Sequence, residues 1–227
     1  MGRPAAHPNG HAPARLCMGM AVLLYDLPLS HYCVAAKKML AHKGVAFATE
    51  RAPYHDRQDL LAVSGQDYVP YLLWEDEGVV WGDIPAFLEG KVAQPTLYPD
   101  GQRHVAEMLA QWAHGIVEEA GWKCVAFDAL KTFDDARERW VFEEIQTRTR
   151  GPLEVLNLQK QAHLQSLVKT LAPAEARLGE TPYLLGADVS RADFALYGAL
   201  HIFPFTGNKF PDALTNVRAW WDRVDKL

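Results

Sequence analysis

A chain of 227 residues that is 49% apolar and 22% charged has the composition of an ordinary folded protein, with enough apolar sequence for one large core or two small ones. Its formal net charge of -5, with no block of Lys and Arg, excludes a general attraction to nucleic-acid backbones or anionic lipid. Cys17, Cys33 and Cys124 are odd in number and widely spaced, which fits neither a disulfide framework nor a zinc site and suits a reducing cytoplasm.

Residues 1–19 are rich in Pro, Ala, Gly and His and lack the apolar core of a secretory signal, so a disordered tail is expected there. The run Ala21 to Tyr25 is short, apolar and closed by Asp26-Leu27-Pro28, which predicts a buried strand. From His31 to Lys43 the apolar positions Cys33, Ala36 and Leu40 share one helical face, and Gly44 supplies the stop. Val45 to Glu50 alternates as a strand, and Asp56 to Val63 reads as a short helix before Gly65. Val69 to Trp74 and Val79 to Trp81, joined through Glu75-Asp76-Glu77-Gly78, predict a hairpin, and Pro85 to Glu89 a last short helix. The stretch 92–102 carries two prolines and little periodicity, so it divides a domain over 20–91 from one over 103–227.

Beyond this linker the periodicity is helical throughout. Helices are predicted over His104 to Glu119, Val125 to Thr147, Leu153 to Leu178, Ser190 to Phe203 and Asp212 to Val224. Ser190-Arg191-Ala192-Asp193 has the spacing of a capping box, with Val189 and Phe194 as its hydrophobic staple. The longest apolar run here, Ala192 to Phe205, is too short to span a bilayer and contains Asp193, so no membrane association is expected. The fold class is therefore α/β followed by all-α: a four-stranded mixed sheet with helices, then a helical bundle.

This order resembles the glutathione S-transferase superfamily, whose N-terminal domain is thioredoxin-like. Ser30-His31-Tyr32-Cys33 is similar to the active-site turn of that family, Val69-Pro70 to its cis Val-Pro, and Tyr183 to Gly186 with Ser190 to Phe194 to the capping-box motif of its helical domain. His31 stands where proline is usual. The Glu-Ser pair that opens the last helix of the first domain appears as Gly82-Asp83 or Asp83-Ile84, with one ligand-holding side chain lost.

The resemblance implies a transferase that activates the glutathione thiol for attack on a small hydrophobic electrophile, in detoxification, as a homodimer, with glutathione as co-substrate and no metal. A thiol with a pKa of about 8.5 must be held as thiolate, and a hydroxyl at a helix N-terminus suits that task. Ser30 is thus the expected catalytic residue, its other reading being a plain N-cap. Cys33 and Tyr25 are the alternatives, although Cys33 on the apolar face reads first as a packed thiol and Tyr25 as a core residue. The backbone of Val69 at Pro70 would pair with the cysteinyl part of glutathione, and Asp83 would accept its ammonium group or simply cap a helix. Arg51 and His55 read as solvated surface residues. Trp112, His114 and Trp122 would line the acceptor pocket or belong to the bundle core. Two other functions fit the pattern: a non-catalytic binding or assembly module of the same fold, and a glutathione-dependent thiol reductase or isomerase, which would need Cys33 exposed.

Overall fold

The computed structural model describes residues 21–227; the expected tail over 1–19 and Cys17 lie outside them. Strand β1 (Val22–Asp26) is buried at every position and is the second strand of a sheet ordered β2-β1-β3-β4, with β2 at Ala48–Arg51, β3 at Tyr71–Trp74 and β4 at Glu77–Val80. The β1–β2 pair is parallel and the other two pairs antiparallel, so the sheet is mixed, as the sequence led us to expect.

The alternation along β1 decides which side chain faces which layer. Val22 and Leu24 join the main core with helix α1 (His31–His42), helix α3 (Ile84–Lys91) and the helical region. Leu23 and Tyr25 point the other way, into a small cluster with Ala52, Leu60 of helix α2 (Gln58–Ser64) and Tyr71. The hairpin turn is tighter than expected. Only Glu75 and Asp76 form it, and Glu77 and Gly78 pair with Trp74 and Leu73. Gly78 belongs in the strand because a Cβ there would meet the phenol oxygen of Tyr71 at 1.7 Å.

The second half departs from the expected helix boundaries. Instead of ending at Glu119, the helix continues from α4 (Arg103–Trp112) through a π-helical turn (Ala113–Val117) into α5 (Glu118–Ala129). Gly121 does not interrupt it, because it is buried against Ala199 and Phe203 and packing outweighs its poor propensity. The break falls at Phe133 to Asp135, where the Asp135 side chain accepts from the backbone N–H groups of Arg137 (2.8 Å) and Glu138 (2.9 Å) and starts α6 (Ala136–Arg150). The predicted Leu153 to Leu178 helix divides at Gln159 into α7 (Leu153–Leu158) and α8 (Lys160–Glu180), while α9 (Arg191–Leu200), α10 (Ile202–Phe205) and α11 (Thr215–Asp225) complete the chain.

Two features lock these helices in place. The wholly buried Asp193 carboxylate accepts from Ser190 N (3.0 Å), Ser190 Oγ (2.7 Å), Leu184 N (3.0 Å) and Trp220 Nε1 (2.8 Å), tying the turn before α9, its first turn and α11 to one group. Helix α9 also lies directly on the start of α1. A Cβ on Gly198 would fall 2.3 Å from the carbonyl oxygen of His31, so only glycine allows this approach.

Candidate active site

The chain leaves β1 through Leu27-Pro28-Leu29 and turns back at Ser30, whose N–H donates to Leu27 O at 2.8 Å. Ser30 is extended (φ -74, ψ 118) and caps α1, its Oγ accepting from Cys33 N at a long 3.4 Å. That bond uses an acceptor lone pair, and the hydroxyl also lies within hydrogen-bond reach of the Cys33 sulfur. Ser30 and His31 form one wall of a cavity of about 340 Å³ between the sheet region and α5–α6, with Val69, Tyr54 and Arg57 on a second side and Glu118, Trp122 and Gln146 on the third. The Val69–Pro70 peptide is cis.

The other residues singled out from sequence are placed differently. Cys33 is wholly buried, and burial beside Asp26 pushes its thiol up to about 12. Tyr25 is 2% exposed within the small cluster behind the sheet, where burial raises its phenol, and it does not line the cavity. Asp83 is exposed, makes no side-chain capping bond and also lies outside the cavity lining. Trp112 packs half-buried on the main core, away from the cavity, and Trp122 is the tryptophan that lines it. His114 is buried in a nest of rings with Tyr32, His31 and Trp81, where Arg191 approaches its Nε2 to 3.3 Å. Burial and the Arg191 charge hold this imidazole neutral, far below its ordinary value. Arg51, expected to be solvated, bonds the buried Glu138 at 2.6 Å, and Tyr54 N donates to the same carboxylate at 3.1 Å, so the segment after β2 is fastened to α6.

Arg57, Glu118 and Gln146 line the cavity and escaped sequence reading. Arg57 is half-buried over the Tyr54 ring at 5.5 Å, and its Nη1 is buried with no hydrogen-bond partner among the described residues. Glu118 receives both bonds of the Arg150 Nη2 group (3.0 and 3.2 Å), while Arg150 Nη1 donates to Gln146 Oε1 at 2.6 Å. Burial lifts the Glu118 carboxyl to about 7 against the opposing pull of Arg150. His31 Nδ1 lies 3.7 Å from Glu118 Oε1, and burial with the Arg150 charge lowers this imidazole to about 3. The only local signal for Glu118 was its spacing of four from His114, which matched no metal motif.

A mixed four-stranded sheet with a serine-capped helix after its first strand, a cis Val-Pro before its third and an all-helical second half define a thioredoxin-like unit joined to a helical one. Family models agree: "Glutathione S-transferase, N-terminal domain" matches residues 24–84 and "Glutathione S-transferase, C-terminal domain" matches residues 150–227. The chain belongs to the glutathione S-transferase superfamily. Among solved structures it is similar to glutathione transferase GSTFuA3 from Phanerochaete chrysosporium (18% identity, 90% of this chain and 94% of that chain, TM-score 0.77). It is also similar to glutaredoxin 2 from Salmonella typhimurium in complex with glutathione (17%, 91% and 94%, 0.74) and to beta-etherase LigF from Sphingobium sp. strain SYK-6 (17%, 92% and 96%, 0.67). At these identities the likeness is one of fold. No curated protein matches the sequence.

Proposed function

We propose that the chain is a glutathione transferase in which Ser30 holds the glutathione thiolate for attack on an electrophile. The observation that carries this reading is the position of the Ser30 hydroxyl, at the N-terminus of α1 and on the same cavity as the backbone of Val69. An extended peptide ligand pairs with that backbone, its sulfur comes to the Ser30 hydroxyl, which turns to it from the Cys33 sulfur, and to the exposed end of the helix, and both favour negative charge. Arg57, with no carboxylate bonded to it among the described residues, offers a carboxylate partner on the same side. Pro70 acts only through the backbone geometry it gives Val69. Asp83 is exposed and outside the cavity lining, so it is left out of the proposed ligand contacts.

Supporting homodimer formation, Val105 (46%), Met108 (72%) and Ile116 (60%) leave a run of apolar side chains exposed along α4 and the π turn. Free Cys33 and Cys124 fit a reducing compartment such as the cytoplasm. Among the described residues no helix is long and apolar enough to cross a membrane. Cys33 weighs against the reductase or isomerase reading, since a buried thiol pushed to about 12 is a poor nucleophile.

The test is calorimetric titration with glutathione of the native protein and Ser30→Ala, with thiolate absorbance followed across pH. Saturable binding with a depressed thiol pKa is expected, and Ser30→Ala should return that pKa toward its free value by about 1–2 units, the worth of one charge-assisted hydrogen bond. Absence of binding at millimolar glutathione leaves the non-catalytic module.

A further inference from the structure

Arg191 is the first residue of α9, and the capping box around it is complete without it: Ser190 and Asp193 bond each other, and Asp193 accepts further from Leu184 and Trp220 but not from Arg191. A cation here is unfavourable twice over. The first turn of a helix disfavours positive charge, and the residue is 3% exposed, where an unpaired charge is costly. Both Nη atoms meet only His114 Nε2 at 3.3 Å, the guanidinium lies 5.0 Å over the Trp81 ring, and Nε is buried with no partner. Among the described residues no carboxylate reaches ion-pair distance of it. Burial opposes the guanidinium charge, and Glu107 of α4, which accepts from the Tyr98 hydroxyl, supports it from farther off. Arginine keeps its proton in such a setting.

From Arg191 the contacts toward the active-site turn run through uncharged rings. The His114 ring lies 5.2 Å from that of His31 and 4.7 Å from that of Tyr32, centroid to centroid, and these two are the first residues of α1 after Ser30. Burial keeps His114 and His31 neutral and Tyr32 a phenol near neutral pH. Beyond His31, Glu118 is closed on Arg150. Resting on the transferase reading above, we propose that the buried, unpaired charge of Arg191 favours the glutathione thiolate over the thiol at Ser30, acting through this layer of rings without touching the ligand. Packed rings screen a charge far less than water does, so the cation works in the same direction as the N-terminus of α1. A cation that the fold of α9 does not require is thereby given a use.

The experiment saturates native protein, Arg191→Met, Arg191→Lys and Glu107→Gln with glutathione and reads the thiol pKa of the bound ligand from thiolate absorbance across pH. Arg191→Met should raise that pKa by about one unit, the scale of a unit charge about 10 Å away at an effective dielectric of about 20. Arg191→Lys keeps the charge and should restore most of the native value. Glu107→Gln keeps an acceptor for Tyr98 but removes the opposing charge, and should lower the thiol pKa by about 0.3 unit. A role in packing alone would cost affinity or stability and give no shifts of opposite sign. An unchanged thiol pKa in folded Arg191→Met, an equal rise in Arg191→Lys, or no fall in Glu107→Gln each overturns the proposal while leaving the transferase reading intact. If Arg191→Met does not fold, Glu107→Gln decides alone. Native protein that binds no glutathione, or binds it with an ordinary thiol pKa, removes both.

Discussion

Ser30 accepts one hydrogen bond from the helix it caps, and a hydroxyl can both accept and donate, so its capping role does not compete with the catalytic role proposed above. Asp193 has no such division. Every donor it meets is buried, and Asp193→Ala would strand at least two of them, at about 1–3 kcal/mol each. Urea denaturation should show a loss of at least about 2 kcal/mol, with a smaller loss for Asp193→Asn, which keeps one acceptor oxygen. Residues whose role depends on near neighbours were legible in the sequence: Ser30 before a helix, Asp193 three residues after Ser190, Val69 before Pro70. Glu118, Arg57 and Gln146 were not, because their meaning arises only when α2, α5 and α6 close on the same cavity.

At the scale of elements, the strands and first helix were found to within a few residues because short apolar runs ended by Pro or Gly leave few alternatives. The α4–α5 boundary was misread for an equally local reason. The expected gap between Glu119 and Val125 contains Gly121, and whether a glycine ends a helix or is packed inside one is decided by its tertiary neighbours. Gly198 is the converse: nothing around it in sequence marks it, yet α9 can reach the start of α1 only through it. Gly198→Ala is expected to cost about 1–3 kcal/mol by overpacking and, by displacing the start of α1, to weaken glutathione binding. Thermal denaturation and calorimetry on the same sample would register the two effects together. An unchanged affinity with lowered stability would mean that α1 holds its place and α9 yields.

Across the whole molecule, the exposed run of Val105, Met108 and Ile116 makes a definite demand. If two copies cover it, Met108→Lys should shift sedimentation from dimer to monomer with little change in the helical signal, since Met108 is 72% exposed and carries none of the fold. The sequence pattern could point to an apolar helix face but not to whether it turned inward, because the π turn alters the register midway along the helix.

The contact of Gly198 with the His31 carbonyl oxygen bears on the evolution of such chains. The sheet half and the helical half read as separable units, but the turn that presents Ser30 is walled by the backbone of the second. A recombinant that joins residues 21–91 to the helical half of another family member would inherit a working catalytic turn only where the incoming helix carries a glycine at this place. Exchange of whole halves is therefore restricted by one hydrogen-sized gap, while point changes around Trp122, Ile145 and Gln146 leave that gap untouched.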